Sequence, residues 1–263
     1  MTIAIGSYCI GGLLLCADTN VVAGDDVITK GCKLATREIP GRASYAIANT
    51  GDDANASTML ARRILDELSR DTVNHYEIAP AITQAMKEWQ ADYTSVGPPS
   101  ISFMLGALAG QQNARIYYCE PPNTVTRMNG TVAIGCGSRI VDPLIPHLFL
   151  ESECYALRPT LLSIAYLMYR AKKENKNIAG SGTDLIALSG LGGVRWVTPE
   201  EMEKAEAIGS DIDFLFHNMS MGIFSQEPKV SQNKFLATFK DVYLLRAMKA
   251  KAVDFPSLDG FLI

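Results

Sequence analysis

The order of strand-type and helical segments along the chain is the feature that most restricts its fold. Four short apolar runs, separated by Gly, Asp and Pro, predict strands early in the chain. They cover residues 3–9, 13–17, 33–39 and 44–49. Apolar residues then recur at helical spacing in two successive segments, over residues 54–69 and around Ile78, Ile82 and Trp89. The early strands are therefore predicted to form an antiparallel sheet, which a pair of helices follows.

The same order returns in the second half of the chain. Strand-type runs cover residues 100–107, 114–119, 124–128 and 131–134. Helical spacing resumes at Ile140, Leu144 and Leu148, and again at Leu161, Ile164 and Met168. A last strand is predicted over residues 184–188. The later strands are expected to form a second sheet with its own helix pair.

Two sheets that each carry a pair of helices predict an α+β fold. Sheets that bury one face on each other and the other under helices give a four-layer αββα sandwich of two antiparallel sheets between helix pairs. From Thr198 the pattern becomes helical, because Thr198 and Glu201 have the spacing of a capping box around Pro199. The predicted organisation is a sandwich domain over residues 1–198 and a helical C-terminal extension over residues 199–263.

Composition argues against several classes of protein. The chain has 263 residues with 48% hydrophobic content, enough for a sizeable core. Its net charge is −4 and it has no basic stripe, so no nucleic-acid partner is expected. The longest apolar stretches reach about half the length of a membrane-spanning helix, so no membrane association is expected. No positive charge precedes the first apolar run, as it would in a signal peptide, and a cytoplasmic protein is predicted.

The cysteines and histidines show no pattern of a metal site. The six cysteines include no CxxC pair, and most are expected to be small apolar core residues, with Cys136 as the exception. His75, His147 and His217 have no spacing that links them to a serine or a cysteine. No metal or organic cofactor is predicted.

Thr2 directly follows Met1, and Asp18 and Lys33 come after it in strand-type context. A threonine hydroxyl is a weak nucleophile that needs a nearby base. If Met1 is removed, the α-amine of Thr2, with a pKa of about 7.7 to 8.0, is able to accept the hydroxyl proton at neutral pH. The sequence therefore predicts a nucleophile and its base within a single residue.

A series of motifs in a fixed order carries a family resemblance. After Thr2 the chain reads LLLCADTNVVAG, CKL, ANTGDDANA, SISFMLGALAG, RIYYCEPPNTVTR and AIGCGS. Through these segments, over about residues 2–195, it resembles proteasome β-type subunits, and particularly their small bacterial homologues. The resemblance implies an N-terminal nucleophile hydrolase that forms a homo-oligomer of stacked rings or a related assembly.

The resemblance also implies roles for individual residues. Thr2 would attack the scissile carbonyl, and the buried pair Asp18 and Lys33 would lower the pKa of its hydroxyl. The amide of Gly51 would donate to the oxyanion. Taken alone, Asp18 and Gly51 also fit ordinary turns, whereas an unpaired lysine in the apolar context of Lys33 would be costly.

Substrate contacts and departures from the family follow from the same resemblance. Val22 would lie where the substrate backbone is held as an added strand, and Asn49 would line the pocket for the side chain before the cut. Cys136 stands where the family has a serine, and Lys176 and Ala179 stand where it has an aspartate and a serine. In the family these groups help to orient the threonine amine.

Three functions are compatible with these residues. The first is a threonine-type hydrolase that cleaves peptide or other amide bonds through an acyl-enzyme ester, within a self-compartmentalising oligomer. The second is a ring or scaffold subunit that keeps the fold and has little turnover. The third is an amidase for a small non-peptide substrate.

Overall fold

The computed structural model describes residues 2–23, 27–70, 77–93, 97–109, 114–149, 155–175, 178, 181–190, 193–224 and 254–259. These described residues form twelve strands and six α-helices. The strands are β1 (Ala4–Cys9), β2 (Gly12–Asp18), β3 (Asn20–Ala23), β4 (Val27–Lys30), β5 (Leu34–Ile39), β6 (Ala43–Gly51), β7 (Ile101–Ala109), β8 (Ala114–Glu120), β9 (Thr124–Met128), β10 (Val132–Ile134), β11 (Thr183–Ser189) and β12 (Gly193–Val197). The helices are α1 (Ala54–Arg70), α2 (Ile78–Ala91), α3 (Ser138–Val141), α4 (Ile145–Leu148), α5 (Leu157–Glu174) and α6 (Pro199–Phe224). Across the described ranges, no helix combines the length and the apolar character that a membrane span requires.

Two five-stranded sheets contain most of the strands. Sheet 1 has the order β10-β1-β2-β11-β12, and sheet 2 has the order β5-β6-β7-β8-β9. The remaining strands, β3 and β4, pair only with each other. Every pairing is antiparallel. The predicted α+β class with antiparallel sheets is confirmed.

The strands are not divided between the sheets in chain order, and here the prediction is wrong. β1 and β2 pair with late strands, so that Ala4 lies opposite Ile134 and Asp18 lies opposite Thr183. β5 and β6 pair instead with β7, which begins the later group. A short apolar run identifies a strand without identifying its partner, because pairing depends on packing against distant segments. The nearest strands in the sequence are therefore an unreliable guide to sheet membership.

Further elements differ from the sequence prediction, which includes neither β3 nor β4. β12 follows β11, which the sequence predicts as the last strand, and it forms the edge of sheet 1. The single helical pattern predicted from Ile140 to Leu148 forms two short helices, α3 and α4. Pro143 and Pro146 lie within this segment and have no backbone N–H, so they prevent one continuous helix.

Buried apolar side chains form three clusters around the sheets. Successive residues of a strand point to opposite faces, so Leu14 and Leu15 of β2 enter different clusters. Leu15 meets Met104 of β7 in the cluster between the two sheets. Leu14 joins Ile164 of α5 and the start of α6 on the other face of sheet 1. The third cluster packs sheet 2 against α1 and α2, with Leu60 fully buried in it.

The start of α6 has the capping box that the sequence predicts. The backbone N–H of Thr198 donates to Oε2 of Glu201 at 2.8 Å, and the backbone N–H of Glu201 donates to Oγ1 of Thr198 at 3.3 Å. Glu201 also accepts hydrogen bonds from the N–H and the hydroxyl of Ser257, at 3.0 and 2.6 Å. Burial raises the pKa of the Glu201 carboxyl, but these hydrogen bonds outweigh it and the pKa is lowered. The chain around residue 257 is thereby tied to the first turn of α6.

Candidate active site

Thr2 lies just before β1 and is held through its backbone carbonyl. The side chain and backbone of Thr2 are together only 7% exposed. Its carbonyl accepts from the N–H of Gly137 at 3.3 Å and from Sγ of Cys136 at 3.4 Å. Gly135 has φ +87°, and a Cβ there would lie 2.3 Å from the Thr2 carbonyl oxygen. Only glycine permits this close approach, because it has no Cβ. The turn after β10 therefore fixes the position of Thr2 and requires glycine to do so.

Asp18 ends β2 and organises the backbone around Thr2. It is fully buried. Its Oδ1 accepts a hydrogen bond at 2.8 Å from the N–H of Ile3, the residue directly after Thr2. Its Oδ2 accepts from the N–H of Asn20 at 3.1 Å, which is the local turn contact that the sequence alone also allows. Asp18 thus makes both the turn contact and a long-range contact at the candidate nucleophile.

Lys33 joins the hydroxyl of Thr2 to the carboxylate of Asp18. Its Nζ donates to Oδ2 of Asp18 at 2.9 Å and to Oγ1 of Thr2 at 3.1 Å. Lys33 is 7% exposed and lies directly before β5. Burial lowers the pKa of the Lys33 ammonium, and the charge of Asp18 and its hydrogen bond oppose that change without cancelling it. A cation at this distance favours the ionised form of the hydroxyl.

A cavity of about 280 Å³ opens beside these three residues. Its wall includes Thr2, Lys33, Asn49 and Gly51. Asn49 and Gly51 come from the end of β6, and the far wall comes from the start of α1. The structure therefore brings four of the predicted site residues to one cavity. In the described part of the chain, no group of three or more His, Cys, Asp or Glu side chains is arranged to hold a metal ion.

The backbone N–H of Gly51 is directed toward this cavity. The N–H of Asp52 donates to the carbonyl of Ser100 on the side of β7, at 3.1 Å. The N–H of Asn49 donates to the carbonyl of Lys33 on the opposite side, at 3.1 Å. Because N–H groups alternate in direction along a strand, the N–H of Gly51 points to the same side as that of Asn49. On that side Gly51 lies beyond the start of β5, and the cavity occupies the space beside Lys33.

The predicted substrate-binding residues lie on neighbouring elements. Val22 belongs to β3 and is opposite Ile28 of β4, and the adjacent Val21 lines the cavity. Asn49 is 8% exposed, and it also lines the cavity. A peptide that extended from the cavity along β3 would therefore pass Val21 and Val22 in turn.

Cys136 contacts Thr2 through the carbonyl. The thiol is half-buried, and Nδ2 of Asn175 donates to its sulfur at 3.8 Å. Asn175 directly precedes Lys176 in the chain. Lys176 and Ala179, the other two departures from the family, lie outside the described residues. The structure thus accounts for the position of Cys136 alone among the three departures.

Sequence reasoning missed a partly buried charged group behind the site. Glu206 of α6 accepts two hydrogen bonds from Nζ of Lys172, both at 2.8 Å, and one from Oγ1 of Thr183 at 2.5 Å. Thr183 begins β11 and lies opposite Asp18 in sheet 1. A Lys and a Glu on two separate helices have no spacing that reveals their contact. The one available signal is that both fall on the apolar faces of their helices.

Comparisons with known proteins agree with this architecture. The sequence matches no protein-family model and no curated protein. Solved structures do match it. Anbu (ancestral beta-subunit) from Yersinia bercovieri is 17% identical with a TM-score of 0.65, covering 86% of this chain and 98% of its own. An Anbu (Gly-1) mutant from Hyphomicrobium sp. strain MC1 is 18% identical with a TM-score of 0.66, covering 83% of this chain and 97% of its own.

A third solved structure is a helical assembly of the Anbu complex from Pseudomonas aeruginosa. It is 19% identical with a TM-score of 0.69, and the match covers 87% of this chain and 99% of that one. At such low identity, a likeness over nearly the whole of the other chain is evidence of a shared fold. The chain has the fold of the Anbu proteins, a proteasome-like α+β fold.

Proposed function

We propose that this protein is a threonine-type N-terminal nucleophile hydrolase that cleaves peptide or other amide bonds. The observation that carries the proposal is the position of the Lys33 ammonium, 3.1 Å from Oγ1 of Thr2 and 2.9 Å from Oδ2 of Asp18. A buried cation shared by a carboxylate and a hydroxyl is an arrangement for lowering the pKa of that hydroxyl. The cavity beside it provides room for a substrate group.

The reaction begins once Met1 has been removed from Thr2. Lys33 donates to Oγ1, so the hydroxyl proton is free to pass to another acceptor, and the α-amine of Thr2 is that acceptor. Oγ1 attacks the substrate carbonyl carbon, and the oxyanion accepts a hydrogen bond from the N–H of Gly51. The amine returns the proton to the leaving nitrogen, which leaves an acyl ester on Thr2. Water then attacks the ester and releases the second product.

The substrate backbone is proposed to run along β3. β3 pairs with β4 along one edge. An extended peptide is able to add to the other edge at Val22, which provides main-chain hydrogen bonds for affinity. The side chain before the cleaved bond then enters the cavity past Asn49.

The layer order and the domain division belong to the same proposal. The cluster between the sheets and the two clusters under helices support the four-layer αββα sandwich. The division into residues 1–198 and 199–263 is kept as a proposal, in which the extension begins with α6. The first turns of α6 contribute to the cluster on sheet 1, so this extension would be attached to the sandwich at its start.

An assembly of identical subunits is also proposed. The Pseudomonas aeruginosa Anbu complex forms a helical assembly. In this chain, three large apolar side chains are exposed on the described surface: Ile10, Met59 and Trp196. Single exposed apolar side chains are common on protein surfaces, so the likeness to the Anbu assembly carries this proposal. Stacked rings and helical assemblies are the two arrangements that the proposal includes.

A scaffold function is the second candidate, and Cys136 favours it. A thiol is a weaker hydrogen-bond donor and acceptor than the serine hydroxyl that the family has at this position. If the amine of Thr2 is then poorly oriented, a displacement of about 1 Å is enough to lower the rate roughly a hundredfold. Such a subunit would keep the fold and the assembly with little turnover.

Intact mass spectrometry before and after treatment with a peptide epoxyketone separates these functions. Loss of Met1 and one adduct on Thr2 are expected for the hydrolase. Lys33→Ala is expected to abolish the adduct, because the hydroxyl loses its neighbouring cation. Lys87→Ala, which removes an exposed lysine of α2, is the matched control and should label like the native protein.

Each result has a clear consequence. Protein that has lost Met1 and never labels indicates the scaffold. Full labelling of Lys33→Ala, with circular dichroism that shows an intact fold, would remove Lys33 from the mechanism. Turnover of a peptide library, compared with turnover of small amides, distinguishes a peptidase from a non-peptide amidase.

A further inference from the structure

Four hydroxyl and thiol groups in the walls of the cavity beside Thr2 present hydrogen-bond acceptors to it. Ser57 Oγ and Thr58 Oγ1 donate to backbone carbonyls four residues earlier, at 2.7 and 2.8 Å. Thr50 Oγ1 donates to a backbone carbonyl of β7 at 3.2 Å, and Cys32 Sγ donates to a carbonyl of β5 at 3.3 Å. Each of these groups has one proton and has already used it. What remains for a ligand in the cavity is their lone pairs.

Asp52 adds a full negative charge to this wall. Among the described residues it is the only acidic side chain that lines the cavity, and it is exposed. Among the ion pairs of the described residues, none involves Asp52. Lys33, the one lysine that the described residues contribute to the wall, is already paired with Asp18. The cavity therefore presents an unpaired carboxylate without an opposing free cation from the described part of the chain.

The amino-terminal end of α1 also borders the cavity and would by itself attract an anion. A helix end carries the equivalent of about half a positive charge. Asp53 precedes this helix, and its Oδ1 accepts from the N–H groups of Asn55 and Ala56 at 2.8 and 2.9 Å. Its full negative charge outweighs the charge of the helix end. The electrostatic preference of the cavity is therefore for a cation.

The size of the cavity matches one side chain better than a larger ligand. Its volume is about 280 Å³, below the range of roughly 300 to 1,000 Å³ that is typical of small-molecule sites. Acceptor-rich walls and a terminal carboxylate suit a long side chain that ends in several N–H donors. Lysine and arginine have that form.

We infer that the cavity selects a lysine or arginine side chain immediately before the cleaved bond, through the carboxylate of Asp52. This inference rests on the hydrolase function proposed above, because it treats the cavity as the pocket next to the attacking Oγ1 of Thr2. Asp52 is a specificity-determining residue in this scheme and takes no part in the bond-breaking step.

The first test compares two peptide epoxyketones that differ only at the side chain next to the electrophile. One carries lysine and the other norleucine, which has the same chain without the charge. The lysine compound is expected to label Thr2 roughly two- to fivefold faster, a ratio that corresponds to one solvent-exposed charge pair. Asp52→Asn should reduce this ratio to near one, because the lysine compound loses the carboxylate that favours it.

Asp66→Asn is the matched control, because Asp66 is an exposed carboxylate of α1 that pairs with Arg37 and does not line the cavity. It should keep the native ratio. Equal or faster labelling by the norleucine compound would overturn the inference, and so would a native ratio in Asp52→Asn.

A second measurement keeps the inference testable if no epoxyketone reacts. In Thr2→Ala, which is unable to form an adduct, isothermal titration gives the dissociation constants of two peptide amides that end in lysine or norleucine. Tighter binding of the lysine peptide, lost in Thr2→Ala/Asp52→Asn, supports the cation pocket even when the hydrolase proposal has failed. Equal binding of the two peptides overturns the pocket whatever the labelling result.

Discussion

At the scale of single residues, the candidate site depends on one buried cation that is shared by two oxygens. Lys33 loses hydration on burial, and Asp18 returns part of that free energy through a charge-assisted hydrogen bond. Oγ1 of Thr2 also accepts a hydrogen bond from Lys33, but this hydroxyl oxygen is uncharged. The ammonium is therefore less than fully compensated until negative charge develops on that oxygen. This is the condition under which a cation stabilises a transition state more than the resting state.

The lowered pKa of Lys33 predicts the alkaline limit of Thr2 labelling. The rate should rise as the α-amine of Thr2 loses its proton, with a midpoint of about 7.7 to 8.0, and fall as Lys33 loses its own. Because burial lowers the pKa of Lys33, this fall should occur below the value of about 10.4 of a free lysine. Lys33→Arg stays charged throughout, so its profile should lack the fall even if its rate is lower. A native profile that declines only above pH 10.4, measured by rates of adduct formation, would contradict this assignment.

Gly135 provides a test of how closely the position of Thr2 is controlled. Gly135→Ala places a Cβ against the Thr2 carbonyl oxygen, in a backbone conformation that alanine disfavours by about 1 to 2 kcal/mol. We expect the labelling rate to fall by roughly tenfold to a hundredfold, since Thr2 must move. Adduct formation followed by mass spectrometry measures the rate, and urea denaturation measures the stability.

Gly130→Ala is the matched control for backbone strain. Gly130 has φ +86°, nearly the same as Gly135, and a Cβ there would meet nothing within 4 Å. Gly130→Ala should lose a similar amount of stability, because its positive φ is unfavourable for alanine. It should keep the native labelling rate. Equal labelling rates in the two variants would show that the approach of Gly135 to Thr2 has no effect on the reaction.

Much of the residue-level site could be predicted, because its motifs keep their order in the sequence. Thr2, Asp18 and Lys33 were expected together on the strength of that order, and their atoms meet within hydrogen-bond distance. The roles of these residues stay predictions until the labelling experiments are done. Glu206 could not be found in this way, because its contacts with Lys172 and Thr183 depend on how two helices pack on a sheet.

At the scale of elements, α6 is joined to the strand next to Asp18. Glu206 connects it to α5 through Lys172 and to β11 through Thr183. The side chains of Lys172 and Glu206 are only 12% and 15% exposed, so neither is easily solvated if its partner is removed. This contact resembles a core interaction more than a surface ion pair.

Glu206→Ala is expected to destabilise the protein by roughly 3 kcal/mol. The variant leaves the Lys172 ammonium mostly buried without its partner and removes the acceptor of Thr183. Lys172→Met in the same background should recover a large part of the loss, because the uncompensated charge is gone. Urea denaturation of the four members of this double-mutant cycle measures the coupling.

The comparison for that cycle is Glu174→Ala, which removes a more exposed partner of Arg170 one turn away on α5. Its cost should stay below about 1 kcal/mol, as for other solvent-exposed ion pairs. If Glu206→Ala costs no more than Glu174→Ala, α6 is not anchored through Glu206.

The ends of individual helices were more predictable from the sequence than an interruption within a helical pattern. The pattern of residues 54–69 gave α1 almost to the residue, and Thr198 and Glu201 marked the start of α6. The break between α3 and α4 went unpredicted, although Pro143 and Pro146 were its cause. The apolar spacing continues through this segment, and only the missing N–H groups of the two prolines mark the break.

At the scale of the whole molecule, the class of fold was predictable and the pairing of strands was not. Each strand has an apolar face that must be covered, so two sheets with helices follow from the number and order of the segments. Which strands share a sheet depends on contacts between distant parts of the chain, such as that of β1 with β10. No short stretch of sequence contains that information.

The pairing of early with late strands has a consequence for synthesis on the ribosome. Thr2 and Asp18 are made long before their partners in sheet 1, because Asp18 lies opposite Thr183 and β1 lies between β2 and β10. Sheet 1 is therefore incomplete until β11 and β12 have emerged from the ribosome, which delays its folding until long after β1 and β2 are made. In the hydrolase proposed above, a nascent polypeptide would thus carry no assembled attacking group, and neighbouring nascent chains would be spared from cleavage during their own production.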